Sequence, residues 1–528
     1  MRLPSISCSP ITRSWATKLL FAIVLVGVGL RVRELLAFRS LWLDEIALIL
    51  QTKGSSYERI FRSGVGGNQG APALYLITSR WLLGTIHSME LGARLLPFLA
   101  GLGFLLTALG VSRAVFDDNR ERVVFLLLCA TSPLLIQYST EGKHYMLETL
   151  VASLLLLAFL RYQSGELPHT QMGLLGALSV WCAHCAPVIL CAGGIVRIAQ
   201  ELQRKRYKQC LIIVAIAAFW LASFTIHAIT NLTGLLSNNA LRLYWGHGLA
   251  PWKKGPLAVA TWSYDVWAHF MRYALLPFQL FHGDEERLSG WTPALSLFLL
   301  FVVAAGLIIL ARRRSAVTPY ILALFVTAFC LSLVRIAPFS SRLLLYLTPF
   351  VFVCCATTVG ACLGHTVIRN ILGGTLAVLV VGPSVATSAI QFIKPLDHCN
   401  MKGALHALAP SYVAGEPIVL RRPDYQSFAI YARRMKLTNL FVAEKAWRLT
   451  PYRAMRDRLV TVTLQSPSKS SWIVSAFGSS DVARGLAELE RECCTVQKRI
   501  VEDGFMVAQV SLRSDYRPPD RVLKAADK

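Results

Sequence analysis

Charge is scarce in this 528-residue chain. Only 16% of its residues are Asp, Glu, Lys or Arg, against 54% in the hydrophobic set, and the mean hydropathy is +0.50. A soluble domain carries about 25% charged residues, so the composition excludes a water-soluble enzyme and points to a chain solvated largely by lipid. Acids are scarcer still. The chain has 30 Asp+Glu against 54 Lys+Arg, a formal net charge of +24. From Lys394 onward 22 Lys+Arg stand against 14 Asp+Glu, so most of the excess belongs to the oily part. Lys and Arg gather in the cytoplasmic loops of membrane proteins, and the excess reads as topology, with no nucleic-acid partner expected. Internal repeats and low-complexity linkers are also missing. Disordered, collagen-like and disulfide-scaffold classes are therefore excluded.

What is present is a series of apolar runs. A first span at 18 to 32 follows Arg2, Arg13 and Lys18, which place the N-terminus in the cytoplasm, and it reads as a retained anchor, not a cleaved signal. Further spans are expected at 92 to 116, 121 to 138, 144 to 162, 171 to 183, 186 to 199, 209 to 229, 292 to 311, 319 to 334, 342 to 363 and 371 to 389, about eleven in all. The run at 71 to 86 is left out. Sixteen residues make about 24 Å of helix against a core of about 30 Å, so it is expected to lie in the membrane plane. With that choice Arg113, Arg120, Arg122, the basic run Arg204 to Lys208, Arg312 to Arg314 and Arg369 all fall on the cytoplasmic side. The two short spans must break between Ala183 and Pro187, as broken helices do where they line a cavity. Residues 1–393 are thus expected to form the membrane domain, and 394–528 an extracytoplasmic α/β domain whose strand-like runs at 417–420, 439–442 and 472–475 alternate with helical stretches at 427–434 and 481–492.

Four clusters of chemistry-bearing residues fall on the outer side of this topology. Charge held close to an apolar bundle is costly and marks a candidate functional site. Trp42-Leu43-Asp44-Glu45 follows the first span; a carboxylate beside apolar neighbours gains basicity, although the same acids suit the first turn of a helix. Tyr138-Ser139-Thr140-Glu141-Gly142-Lys143-His144-Tyr145 fills the next outer turn, and His184 stands at the break between the short spans. Arg342, in Arg342-Leu-Leu-Leu-Tyr346-Leu-Thr-Pro349, has the fork geometry that binds phosphate bidentately, and the length to snorkel to the interface.

In order and layout these clusters resemble the GT-C superfamily of membrane glycosyltransferases, in the protein-mannosyltransferase, aminoarabinose-transferase and galacturonosyltransferase-like branch. That branch carries Trp-x-Asp-Glu, seen here as Trp42 to Glu45, and then an in-plane helix opening Pro-Pro-Leu-Tyr, here Pro72-Ala73-Leu74-Tyr75. It continues with Tyr-Ser-x-Glu-Ala-Arg-Pro-Tyr, here Tyr138 to Tyr145; Thr-His-Tyr at a span break, here Ala183-His184-Cys185; and a late Arg-Tyr-Leu-x-x-x-x-Pro, here Arg342 to Pro349. The resemblance implies a GT-C fold with in-plane helices in the first outer loop, and inverting transfer of a sugar from a polyprenyl-phosphate donor to a hydroxyl of a glycan, lipid or protein acceptor. It implies Asp44 as base with Glu45 in support, donor binding by Glu141, Lys143, His144, Tyr145, His184 and Arg342, and a site facing out of a bacterial inner membrane. Two departures stand out: Lys143-His144 replaces Arg-Pro, and Asn68-Gln69 replaces an acid or His before the in-plane helix. Some relatives use a divalent metal bound by acids; with that ligand position changed, the branch permits a metal here and no ligand is assigned.

Nine of the thirteen cysteines lie in expected spans or at the break between the two short ones and act as small apolar residues; Cys182-Ala-His184-Cys185 reads as packing because no second ligand pair accompanies it. Cys399 and the Cys493-Cys494 pair fall in the tail, where an oxidising compartment would permit a bridge. The rival reading is a transporter or lipid flippase with an outer binding domain. It calls for charges near the bilayer midplane and for related halves, whereas the acids here gather toward one face.

Overall fold

The computed structural model describes residues 10–65, 69–232, 238–276, 292–364, 366–395, 399–413, 416–420, 422–434, 441–443, 452–466, 468–476, 479–502, 505–519 and 522–523. Asn68, of the changed loop, lies outside them. By contact the chain divides into two units: Met1–Ala37 with Leu48–Pro395, and Phe38–Ala47 with Leu396–Lys528.

The first unit is a helical bundle. Six of its described helical segments are long and apolar enough to cross a membrane: Met89–Val115, Tyr145–Ser164, Tyr207–Leu232, Pro293–Arg312, Ser341–Cys362 and Val367–Ile393. They mark an integral membrane protein, against an expectation of about eleven spans. Helix Pro10–Leu36 covers the first expected span, and His169–Cys182 and Ala186–Gln203 cover the two short ones. The Ser341–Cys362 segment is the central element, with 94% of its apolar window enclosed by protein; Tyr207–Leu232, at 28%, is peripheral. Helix Ala73–Thr85 has 13 residues, about 20 Å, and falls short of a bilayer core.

Two expectations need correction. The run at 121 to 138 is not continuous. It divides into Asn119–Thr131 and Pro133–Tyr138 because Ser132 caps the second helix through the Leu135 N–H, and Pro133 lacks the N–H a continuing helix would need. The outer segment after Thr230 carries a 20-residue helix, Pro256–Leu275, that apolar-run reading misses. Asp265, His269 and Arg272 interrupt its hydropathy while Val259, Trp262, Val266, Phe270 and Met271 form a buried stripe.

Ionisable side chains are sorted between the two ends of the bundle. At one end Arg313 donates to Glu121 at 2.6 Å, Arg197 and Arg204 both reach Glu201, Tyr162 meets His169, and Tyr320 donates to Gln163. Because successive helices run up and down, the turns at 139–144, 183–185, 228–232 and 334–347 all lie at the other end.

The second unit contains a five-stranded sheet of β1 (Pro417–Leu420), β2 (Phe441–Ala443), β3 (Ser470–Ser475), β4 (Cys494–Glu502) and β5 (Phe505–Leu512), in the order β2-β1-β3-β5-β4. β2, β1 and β3 are parallel, and β5 and β4 close one side antiparallel. Alternate residues feed two cores. Val419, Ile473, Met506 and Ala508 pack with helices Tyr452–Gln465 and Ser479–Glu492, while Ile418, Leu420, Trp472, Val474 and Val507 pack with Met401–Leu408 and Arg422–Arg434. Helices thus cover both faces, which is why the central strands read as continuous apolar runs. The β4–β5 hairpin is an addition to the strands expected. Among the described residues no disulfide joins Cys399, Cys493 or Cys494, and Cys399 stands 3.5 Å from the Ser427 hydroxyl.

Two positions hold these units together internally. In the bundle a Cβ on Gly306 would lie 2.1 Å from the Cys354 carbonyl oxygen, so hydrogen alone permits the crossing of Thr292–Arg312 with Thr348–Cys362. In the sheet the buried Glu416 carboxylate accepts from Ser470 and Trp472 at 2.5 Å each and from Gln509 at 3.1 Å, joining β1, β3 and β5. Burial opposes its charge, but these donors and the Val413 N–H outweigh it and hold its pKa below the usual carboxylate range.

Gly306→Ala should destabilise the bundle by about 1–3 kcal/mol through overpacking. Gly374→Ala, with nothing within 4 Å of the new methyl, should be neutral; thermal midpoints in detergent that do not separate the two variants would refute the close-approach account. For Glu416 the folded pKa is depressed, so its contribution is full above the unfolded value of about 4.3 and is lost as pH falls through the folded value. Glu416→Gln should lower stability at neutral pH by about 1–3 kcal/mol and flatten the acid limb of a pH series of thermal midpoints; an acid limb left unchanged by the substitution contradicts a depressed folded pKa.

Candidate active site

The turn from Tyr138 to Tyr145 is built from inside. Arg31, fully buried on the first helix, donates to the Ser139 hydroxyl at 3.1 Å and to the carbonyls of Gly27, Cys129 and Ala130. A guanidinium in apolar surroundings needs such a full set of acceptors, and in meeting them it fixes where the turn begins. Glu141 accepts from the Gln137 amide at 3.3 Å, and Lys143 donates to the Gln69 side-chain oxygen at 2.5 Å. His144 then starts helix Tyr145–Ser164.

His144 is the hub of an aromatic cluster. Its ring centroid lies 4.6 Å from that of Tyr145, 5.5 Å from His184 and 5.9 Å from Tyr75. Tyr145 carries the Arg342 guanidinium 5.9 Å above its ring, and Trp245 carries it at 5.2 Å. His184 continues the cluster to His227, 6.2 Å away, which packs against Trp181. The structure therefore brings His144, Tyr145, His184 and Arg342 together, with Lys143 and Glu141 on the same turn. Asp44 and Glu45 belong to the second unit.

Glu148, one turn beyond His144, was absent from the sequence reading. Its carboxylate accepts the His184 backbone N–H at 2.9 Å, and its carbonyl accepts from Cys185 Sγ at 3.6 Å, so it holds the break between helices His169–Cys182 and Ala186–Gln203. It also stands 3.8 Å from His144 Nε2. Burial, reinforced by His184, Lys143 and Arg342, pushes the His144 pKa well down; burial and His227 push that of His184 down to about 3. Both shifts disfavour the imidazolium form. Nδ1 of His144, Nε2 of His184 and both ring nitrogens of His227 are buried without a hydrogen-bond partner. Orphaned polar atoms cost about 1–3 kcal/mol each, and several at one place are a feature of sites that await a ligand. The signals that would have found Glu148 and His227 are an acid and an imidazole inside otherwise apolar helices.

Asp44 and Glu45 open helix Leu43–Gly54. Glu45 is 1% exposed, and its carboxylate accepts the Trp42 N–H at 3.3 Å, half of a capping box, so the helix-start reading of this pair is met for Glu45. Asp44 is half-buried. The segment carrying them is pinned to its unit: the Leu41 N–H donates to Tyr431 at 2.8 Å, the Ser427 hydroxyl to the Leu41 carbonyl at 3.3 Å, and the Lys402 N–H to Ser40 at 3.1 Å.

Among known proteins, no family model and no curated protein matches this sequence. Two solved structures of ArnT from Cupriavidus metallidurans, one bound to undecaprenyl phosphate and one in the apo state, align over 94% of this chain and 98% of theirs. Their identities are 12% and 13% and their TM-scores 0.41 and 0.35. Scores of that size do not equate two folds.

Proposed function

We propose that this chain is an inverting glycosyltransferase that moves a sugar from a polyprenyl-phosphate-linked donor to an acceptor hydroxyl at the extracytoplasmic face of a bacterial inner membrane. The observation that carries the proposal is the convergence of His144, Tyr145, His184 and Arg342, with Lys143 on the same turn, at the end of the bundle opposite the arginine-rich turns. Those residues stand out by motif order in the sequence alone, and the positive-inside rule puts the arginine-rich end in the cytoplasm.

In this reading Arg342 and Lys143 receive the lipid phosphate. Flat rings on two sides keep the Arg342 fork oriented, and two cations stabilise the charge that grows on the departing phosphate. Glu141 and Tyr145 meet sugar hydroxyls, and His144 and His184 line the donor pocket. Asp44, supported by Glu45, takes the acceptor proton while the acceptor oxygen attacks the anomeric carbon; the bond from that carbon to the phosphate oxygen breaks, and its electron pair leaves on the phosphate. Attack opposite the leaving group inverts the centre. The membrane part, 1–393, performs the transfer, and 394–528 recruits or orients the acceptor.

Purified protein supplied with radiolabelled polyprenyl-phosphate sugars tests the roles. Asp44→Asn should lower kcat by about 10²–10⁴-fold, the worth of a positioned base. Arg342→Lys keeps the charge but loses the fork, and should raise the donor KM by roughly 10-fold with the acceptor KM unchanged. Transfer undiminished in Asp44→Asn removes that residue from the mechanism, and coupled substrate flux without glycosidic product would favour the transporter.

A further inference from the structure

Glu148 has no task in sugar transfer as described, and it stands beside His144 and His184, which serve there only to line the donor pocket. One donor atom from each of His144, Glu148 and His184 lies within 4.8 Å of the other two. Two imidazoles and a carboxylate are the protein half of an open zinc site, in which three side chains bind and one position is left for water or substrate. His144 and Glu148 are four residues apart at the start of one helix, and so share a face; His184 comes from the break that Glu148 itself holds. Nδ1 of His144, a residue only 5% exposed, and Nε2 of His184 are buried without a partner. Protein atoms leave those nitrogens unsatisfied.

We propose that His144, Glu148 and His184 bind one divalent transition metal of the zinc type, leaving a coordination position open to water or an anion. The donor set decides the class of ion: imidazole nitrogens suit zinc, cobalt and nickel, whereas magnesium and calcium demand oxygen-rich shells. Lys143 precedes His144 in the chain, and Arg342 lies over the ring of Tyr145, whose centroid is 4.6 Å from that of His144. These two cations disfavour a hard cation held by charge alone, and they favour an anion in the open position. Cys185 is not part of the set, since its thiol is turned to the Glu148 carbonyl, and Cys182 does not join the three donors that lie within reach of one another. The inference goes beyond the transferase reading, and metal content is measured without any sugar donor, so either can fail alone.

The test uses the full-length protein in detergent, stripped with a chelator, dialysed against Zn2+ or Co2+, and passed through a desalting column. Elemental analysis should find about one metal per chain, and the cobalt form should show the visible absorption of a low-coordinate site without thiolate charge-transfer bands. Glu148→Gln and His184→Gln should each weaken zinc binding beyond the roughly 10–100-fold that changes around a ligand produce. The Cys182→Ser/Cys185→Ser pair should bind as wild type. Wild-type protein that retains no zinc overturns the proposal without recourse to any variant. So does metal retained by a monodisperse His144→Gln/His184→Gln protein, or metal lost with the two thiols.

Discussion

A backbone that leaves its helix inside an apolar bundle must find partners for the amides it exposes, and much of this bundle follows from how one such amide is met. The His184 N–H is taken by the Glu148 carboxylate. Lipid offers no substitute for that acceptor, so the break between the two short helices can sit only where the acid stands. The same contact sets His184 beside His144 and turns Cys185 to the Glu148 carbonyl. At the neighbouring turn Arg31 does the complementary work, supplying donors to three carbonyls and a hydroxyl. Two buried ionisable groups on different helices thus position both of the irregular segments that the candidate site is made from.

The two ends of the bundle handle polarity in opposite ways. At the arginine-rich end the buried acids are matched: Glu121 by Arg313, Glu201 by Arg197 and Arg204. Each of these acids meets a partner of opposite charge, although Glu201 Oε2 and Arg197 Nε make no hydrogen bond. At the far end at least one ring nitrogen of each of three histidines, His144, His184 and His227, is closed off from solvent and unmet by protein. The difference between the poles is one of charge: oppositely charged partners meet at the first, whereas imidazole nitrogens without a partner gather at the second.

Most of the helices were legible because hydropathy alone marks a lipid-facing segment, and the break at Ala183 to Cys185 was legible because neither flanking run is long enough to span. Helix Pro256–Leu275 was hidden because its buried stripe is interleaved with Asp265, His269 and Arg272, so no window of it looks apolar. Lys143, His144, Tyr145, His184 and Arg342 could be picked out as motif residues, yet what surrounds them could not. Glu148 reads as a stray acid until the His184 amide is seen to need it, and Tyr75 and Trp245 are two aromatics among many. Least visible was the company kept by Trp42 to Ala47. Chain order places them next to the first helix, while the hydrogen bonds of the preceding Ser40 and Leu41 run to residues 362 and 390 positions later.

Strand β4 bears on how the second unit behaves in a crowd. It is the outermost strand on its side of the sheet, its register slips between Val496 and Lys498, and Gln497, Lys498 and Arg499 are all turned to solvent. A foreign strand docking there would meet a ladder out of step and two cations it would have to cover. Many copies confined to one bilayer therefore present each other with a margin that refuses continuation of the sheet, and fibrillar association along that border is blocked by the chain itself.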